Sequence, residues 1–241
     1  MMAVILAGGK GTRLKPFTMS IPKPLLPLGD VPIVEVVIRQ LISSGVTRIV
    51  MTLGHMAHLF QASLGDGSQW GVTIEYCLED EPLGTAGSLR LVPNLAEDFL
   101  VMNGDLLTTL DYRGLFDEHR SKQAWGTIAL SKREVRIDYG VVLSSERGYL
   151  SDYVEKPVIP YEVSMGVNIL SRRCVEFIPE SGKFDMPQLM LAMSRAGKPV
   201  VCYRTDCYWQ DIGRFDDYQQ ASADFVEDPD RFFATMRGES C

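Results

Sequence analysis

Apolar and polar positions alternate along the chain in a regular way. Ala3 to Leu6 is a short apolar run ending near Gly8-Gly9, the pattern of a buried strand entering a turn. Ile33, Val34, Val37, Ile38, Leu41 and Ile42 mark one helical face, and Gly45 supplies its stop. The next elements are a strand at Arg48–Leu53, a helix at His55–Leu64, a strand at Thr73–Glu79, a short helix at Gly84–Val92, and a strand at Phe99–Met102 that runs into Asn103-Gly104-Asp105. Strands alternating with helices predict parallel pairing, with helices on both faces of the sheet.

Beyond about Ala124 the pattern becomes strand-rich: TIALSKR, YGVVLSS, GYLSDYVEK and SMGVNIL, with turns at Glu146-Arg147-Gly148 and near Pro157–Pro160. A helix follows, with Asp185 as N-cap and Pro187 in its first turn. Its stripe of Met186, Leu189, Met190 and Met193 reads as core. Pro199–Arg204 is a late strand, Phe215–Phe225 a last helix, and the polar tail Asp228–Cys241 is expected to be loosely held. The fold class is α/β, with both halves sharing one sheet.

Composition narrows the function classes. A chain of 241 residues that is 46% hydrophobic and 23% charged can bury a large core unaided. No apolar run approaches the ~20 residues that span a membrane. The apolar N-terminus is too short for a signal peptide and no basic region precedes it, so the expected location is the cytoplasm. The five cysteines form no CxxC pair, which argues against structural zinc and a disulfide framework. A net charge of −7 disfavours nucleic acid and anionic membranes as partners. Yet the first 29 residues carry four cations (Lys10, Arg13, Lys15, Lys23) and no carboxylate. A positive island on an acidic body suits a small, highly charged anion.

The island coincides with a glycine-rich loop, LAGGKGTRL from Leu6 to Leu14. Glycines 8, 9 and 11 let successive backbone N–H groups line an anion-binding concavity, and Arg13 adds a fork suited to phosphate. Lys23 sits in PKPLLP, where prolines stiffen its backbone. GxxxxGK[ST] is absent, and the third glycine of a dinucleotide fingerprint would fall on Leu14. By itself the loop is also compatible with an ordinary strand-to-helix turn carrying surface lysines. Asp105, at the C-terminal end of an apolar strand, lies where α/β sheets bind ligands and is a natural Mg²⁺ ligand, though Asp after Asn-Gly is also a common turn former. Asp211 in WQDIG is a second metal candidate. His55 and His58 read as a polar helix face, and His119, in the charged stretch DEHR, as surface.

The whole string LAGGKGTRLKPFTMSIPKPLLPLG resembles the N-terminal signature of the sugar-1-phosphate nucleotidyltransferases, the NDP-sugar pyrophosphorylases. EDEPLGTAGSL, LVMNGDLL, DYGVV, YVEKP, MGVNIL and YWQDIGRFDDY follow in family order, so the resemblance covers Ala3 to about Gln220. It implies a Rossmann-like, GT-A-like three-layer fold with a mixed, mainly parallel sheet. A single domain over 1–241 is expected, with a nucleotide-binding half (about 1–123), a sugar-phosphate-binding half (about 124–225) and the tail 228–241. No room is expected for the acyltransferase-like β-helix domain that some relatives carry.

By the same resemblance, Leu6, Ala7, Gly8, Gly9, Gly11, Thr12 and Arg13 embrace the triphosphate of an NTP, and Lys23 meets the reacting phosphates. Glu79, Pro82, Gly84 and Thr85 border the base and ribose, and Asp105 and Asp211 hold Mg²⁺. Asn103, Gly104, Tyr139, Gly140, Glu155, Lys156 and Asn168 are expected to bind the sugar phosphate, with Arg13, Lys23, Asp105 and Lys156 forming the catalytic set. A carboxylate at Glu79 offers acceptors only, which matches the N1–H and N2 amino donors of guanine; Glu81, or a solvated role for the run 79–81, competes with that reading. The expected substrates are therefore GTP and a mannose- or heptose-type sugar 1-phosphate, with resemblance strongest to the corresponding guanylyltransferases. Uridylyl-, thymidylyl- or cytidylyl transfer to another sugar phosphate or phosphocholine is the alternative, as is a non-catalytic regulatory subunit. A glycosyltransferase would want a DxD metal motif, and the one DxD string, Asp228-Pro229-Asp230, falls in the polar tail. A homo-oligomer is possible.

Overall fold

The computed structural model describes residues 1–9 and 11–233. Seven strands form the central sheet: β1 (Met2–Leu6), β2 (Arg48–Leu53), β3 (Thr73–Leu78), β4 (Asp98–Asn103), β5 (Gly126–Arg136), β6 (Val158–Ser171) and β7 (Val200–Thr205). Their order is β7-β5-β6-β4-β1-β2-β3. β1 pairs in parallel with β2 and β4, β2 with β3, and β7 with β5, whereas β6 runs antiparallel to both its neighbours. The helices are α1 (Ile33–Ser43), α2 (Ala57–Leu64), the single turn α3 (Gly84–Gly87), α4 (Tyr112–Ser121), α5 (Met186–Arg195), α6 (Phe215–Glu227) and α7 (Pro229–Phe233). This is a Rossmann-like three-layer α/β fold with a mixed, mainly parallel sheet. Among the described residues no helix is long and apolar enough to cross a membrane.

The period-2 alternation of β1 sorts its side chains between two cores. Ala3 and Ile5 pack with Val34, Val37 and Leu41 of α1, Phe60 of α2, and Leu115 and Phe116 of α4. Met2 and Val4 pack on the opposite face with Ala86 of α3 and with Met186, Leu189, Met190 and Met193 of α5. The methionine stripe is thus core, and Asp185 and Pro187 stand where a helix start requires them. A third cluster joins chain ends: Leu14, Leu26 and Leu28 from the N-terminal segment meet Ile212, Phe225 and Phe232. Burying an aromatic of this kind contributes roughly 1.5–3 kcal/mol. That packing holds the cation-bearing segment against the strand that carries Asp211.

Four expectations are corrected. The charged stretch 112–121 is helix α4, with Asp111 accepting the Arg113 N–H as its cap; it hides Tyr112, Leu115, Phe116 and His119 on one face. His119 is accordingly core, 1% exposed, not surface. The turn expected near Pro157–Pro160 lies at the start of that span: the chain bends at Glu155–Lys156 and β6 begins at Val158, so Pro160 stands within β6 opposite Glu134. At that point β6 has β5 on one side and no strand on the other, so the missing N–H of proline costs no ladder bond. His55 precedes α2, which begins at Ala57, so it does not share a helix face with His58. The start of the tail is docked: Pro229–Phe233 is helical, and the buried Gln40 amide donates to the carbonyls of Thr108 (2.8 Å) and Phe232 (2.9 Å). Residues 234–241, like Lys10, lie outside the described residues.

His119 yields a stability prediction. Its Nδ1 lies 2.8 Å from Thr127 Oγ1, and burial lowers its pKa below the usual histidine value, the nearby Asp98 carboxylate opposing this only in part. The unfolded chain therefore takes up this proton first as pH falls. The contribution is complete above pH ~6.5 and is lost as pH drops through the lower folded-state value. Urea unfolding should show less stability at pH 5 than at pH 8, with the pH dependence reduced in His119→Gln; an identical slope in the variant would show that this histidine is not responsible.

Candidate functional site

The chain leaves β1 through a loop that turns at Gly11 (φ 58°), whose carbonyl accepts the Thr18 hydroxyl at 2.8 Å. A short 3₁₀ turn, Thr12–Leu14, follows, buries Leu14 and leaves Arg13 exposed. Arg13 makes no hydrogen bond among the described residues, and its guanidinium lies near Gly213 across the cleft. A second 3₁₀ turn, Lys23–Leu25, is closed by the Leu26 N–H on the Lys23 carbonyl at 3.0 Å. It carries Lys23 inward until the residue is only 6% exposed.

There the Lys23 ammonium meets two carboxylates, Asp105 Oδ2 at 2.5 Å and Asp211 Oδ1 at 3.9 Å. Asp105 lies in the turn just past β4, separated from its end by Gly104. Asp211 ends a three-residue strand, Trp209–Asp211, paired antiparallel with Leu106–Thr108, and the Ile212 N–H donates to the Asp105 carbonyl at 3.2 Å. This small ladder, absent from the sequence reading, fixes the two acids beside each other. Partial burial and the neighbouring Asp105 raise the Asp211 pKa above the usual carboxylate range, and Lys23 and Arg13 oppose the rise. The donors are hard carboxylate oxygens, which suits Mg²⁺. The described residues contain no cluster of three His, Cys, Asp or Glu side chains that could cage a metal. An ion held by Asp105 and Asp211 would take its other ligands from phosphate and water.

A cleft of about 440 Å³ opens beside this cluster. Leu6, Ala7, Gly8, Gly9, Gly11, Thr12, Arg13, Lys23, Glu79, Pro82, Gly84, Thr85 and Asp105, the residues expected around the nucleotide, all line it. Glu79 rather than the exposed Glu81 faces the space: one carboxylate oxygen accepts the Leu83 N–H at 3.1 Å, and the other lies 2.9 Å from where a Cβ on Gly8 would stand. Burial raises the Glu79 pKa, and the Leu83 hydrogen bond opposes this. Pro24, Thr52, Ser88, Lys183, Asp185 and Gly213 also line the cleft and were missed. The Thr52 and Ser88 hydroxyls are buried without a hydrogen-bond partner among the described residues, so the walls hold unspent polar groups. Asp185 carried a signal, its reading as an N-cap. Its carboxylate accepts the Thr85 N–H at 3.1 Å, while the Thr85 hydroxyl accepts the Met186 N–H at 2.7 Å, so α3 and α5 lock together.

A second cavity of about 600 Å³ shares Leu6, Thr85 and Asn103 with the first, so the two are contiguous. Asn103, Asn168 and Asp211 line it, with Trp209, Met165 and Met190. The Trp209 indole N–H donates to the Met165 carbonyl at 2.9 Å. Five expected residues are not brought here. Gly104 is buried beneath the floor, its N–H donating to the Leu6 carbonyl at 3.0 Å. Tyr139, Gly140, Glu155 and Lys156 line neither cavity. They flank an outlying hairpin, Val141–Ser144 with Leu150–Val154, which β5 and β6 carry beyond the body of the sheet.

A three-layer α/β fold with a phosphate-type loop and paired carboxylates at strand ends defines a nucleotide-handling class. The comparisons make it specific: a model of the nucleotidyl transferase family matches residues 2–228, and the chain belongs to that family. It is 33% identical to a mannose-1-phosphate guanylyltransferase of Mycobacterium tuberculosis, over 93% of this chain and 64% of that protein. It is 32% identical to a UTP--glucose-1-phosphate uridylyltransferase of Synechocystis sp., over 92% of this chain and 62% of that protein. The chain thus spans just under two thirds of the length of these curated relatives. Among solved structures it resembles HddC from Yersinia pseudotuberculosis, with a TM-score of 0.70 and 27% identity over 93% of this chain and 99% of that one. The same protein has been solved in complex with GMP-PN (TM-score 0.68).

Gly84 tests the cleft's construction. Its φ is 83°, and a Cβ there would stand 2.6 Å from the Phe184 carbonyl oxygen and 2.7 Å from Asp185 Oδ1. Gly84→Ala should destabilise the protein by about 2 kcal/mol or more in urea unfolding, since left-handed backbone strain and a backbone clash add. A loss below about 0.5 kcal/mol, the scatter of neutral surface changes, would contradict this packing.

Proposed function

We propose that the chain transfers a nucleotidyl group from an NTP, GTP by preference, to a sugar 1-phosphate of mannose or heptose type, releasing pyrophosphate. One observation carries the reading: Lys23 reaches both carboxylates where the two cavities meet, with Asp105 lining one cavity and Asp211 the other. A phosphate oxygen of the acceptor attacks the α-phosphorus. The new O–P bond forms as the bond to the bridging oxygen of pyrophosphate breaks. The nucleophile is already an anion, so no strong base is required. The barrier is electrostatic, and positioning and charge neutralisation lower it. Backbone N–H groups of Gly8, Gly9, Gly11 and Thr12 and the exposed Arg13 guanidinium receive the triphosphate, and Lys23 faces the reacting phosphates. Mg²⁺, held by Asp105 and Asp211 when bound, supplies charge neutralisation at the phosphate oxygens.

The half before about residue 124 binds nucleotide, and the second cavity takes the sugar, with the Asn103 and Asn168 amides available to its hydroxyls. Glu79 offers acceptors to the N1–H and N2 amino group of guanine, and the unpaired Thr52 and Ser88 hydroxyls can donate to its O6. The GMP-PN complex of the similar Yersinia protein agrees with a guanine nucleotide. Uridylyl transfer is the competing reading, favoured by the near-equal identity to the Synechocystis uridylyltransferase. The cytoplasm is the proposed location.

Pyrophosphate release from each NTP with Mg²⁺ and a panel of sugar 1-phosphates tests the reading. Asp105→Asn and Lys23→Ala should each lower turnover on the order of 10²-fold or more, as removal of comparable electrostatic groups does, with unchanged circular dichroism. Wild-type turnover in both would refute the assignment. Glu79→Gln should shift preference from GTP towards UTP, because an amide matches the imide edge of uracil. An undiminished GTP preference would remove Glu79 from base reading.

A further inference from the structure

The second cavity is larger than the cleft given to the nucleotide, about 600 against 440 Å³, although a sugar is the smaller ligand. Its walls show where the surplus lies. Thr85, Asn103 and Asp211 stand at the end that meets the nucleotide cleft. From there one wall follows α5: Met186, Met190, Leu191 and Ser194 share one face of the helix over a length of about 12 Å. The opposite wall is a row across the sheet. Asn168 on β6 pairs in register with Ile128 on β5, and Ile128 with Cys202 on β7, so the three side chains point to the same side. The row spans two strand spacings, roughly 10 Å, and ends at the sheet edge, where Cys202 is exposed. At Gly126, two residues before Ile128, helix and sheet touch: Met190 Sδ lies 2.8 Å from where a Cβ would stand, which closes the groove on that side.

Polar groups are spread unevenly along this groove. Asn168 is only 4% exposed, and its side-chain amide makes no hydrogen bond among the described residues. A buried amide left unpaired is costly, which points to a ligand that pairs with it. Past Asn168 the walls are Ile128, Met190, Leu191 and Val200, and the Ser194 hydroxyl and the weakly polar Cys202 thiol are the polar groups that remain there among the described residues. Ligand hydroxyls placed in this stretch would give up water with little in return. An asparagine amide can pair with a hydroxyl or with another amide, and what lies beyond it decides. An amide followed by hydrocarbon is an acylamino group, with one N–H for the Asn168 carbonyl and one carbonyl for its NH₂.

We infer that the acceptor is an acylamino sugar 1-phosphate: Asn168 pairs with the amide of the substituent, and the acyl group lies between α5 and the row from Ile128 to Cys202. The inference rests on the proposed transfer to a sugar 1-phosphate and narrows which sugar is taken. The flexible thioether of Met190 lets the groove close on acyl groups of different length.

Pyrophosphate release with Mg²⁺ and the preferred NTP is compared for a hexose 1-phosphate and the matching N-acetyl- and N-butanoyl-hexosamine 1-phosphates. kcat/KM should be about tenfold or more higher for the acylated sugars, as for hydrocarbon added in an apolar pocket. Asn168→Leu should abolish that preference. Cys202→Trp, at an exposed position, should fill the far end of the groove and lower kcat/KM for the N-butanoyl sugar about tenfold relative to the plain hexose. Equal or lower kcat/KM for the acylated sugars, or a preference that either variant leaves intact, would overturn the inference. A binding readout separates the groove from the reaction. With Mg²⁺ and a non-hydrolysable NTP present, alkylation of Cys202 by iodoacetamide, followed by peptide mass spectrometry, should slow about tenfold when the N-butanoyl sugar phosphate stands at ten times its Kd. The plain hexose 1-phosphate should leave the rate unchanged. No protection by the acylated sugar in a protein that turns over would overturn the inference. Protection without pyrophosphate release from any substrate pair would support the groove and overturn the proposed transfer.

Discussion

A buried ammonium held between two carboxylates is the constraint on which the molecule turns. Lys23 comes from a proline-stiffened 3₁₀ turn, Asp105 from the end of a central strand, and Asp211 from a short strand late in the chain. An ammonium with this little exposure is tolerable only if it is paired, and the two acids crowd each other unless a cation lies between them. The Leu106–Thr108/Trp209–Asp211 ladder and the core of Leu14, Ile212 and Phe225 bring the three segments together. Stability and chemistry coincide here: the packing that seals the N-terminal segment against the last helices also sets the charges where phosphates would enter.

The two cavities draw unequally on the two kinds of sequence pattern. The parallel half, with its glycine loop, supplies most of the lining of the first cleft, including the unpaired hydroxyls of Thr52 and Ser88. The antiparallel half contributes Asn168, Met165 and Trp209 to the cavity beside it. Asn103 and Thr85 stand on the shared wall, so a ligand in one cavity touches the boundary of the other. Contiguity of this kind suits a reaction in which two anions must meet at one phosphorus.

Local patterns made much of this legible. The glycine loop, Lys23, Glu79 and Gly84 lie in motifs whose geometry is set within a few residues, and the cleft contains them all. What depends on distant packing was not legible. Helix α4 escaped notice because its charged face dominates the stretch and only Tyr112, Leu115, Phe116 and His119 turn inward. Pro160 read as a turn because a strand with one open side tolerates proline, which composition does not reveal. Thr52 and Lys183 come from segments with no motif of their own, and Ser88, although it stands in the string EDEPLGTAGSL, carries no local signal that its hydroxyl faces a cleft. Tyr139, Gly140, Glu155 and Lys156 sit in recognisable strings, yet where a hairpin projects is decided by the ladder beneath it.

The most direct test is a crystal structure with Mg²⁺ and a non-hydrolysable nucleoside triphosphate. The triphosphate should lie along residues 8–13 with Arg13 on its outer phosphates, Lys23 turned to the α-phosphate side, and the ion between Asp105 and Asp211. A nucleotide bound elsewhere, or one that leaves the lysine and both carboxylates without contact to phosphate or ion, would contradict the role given to that cluster.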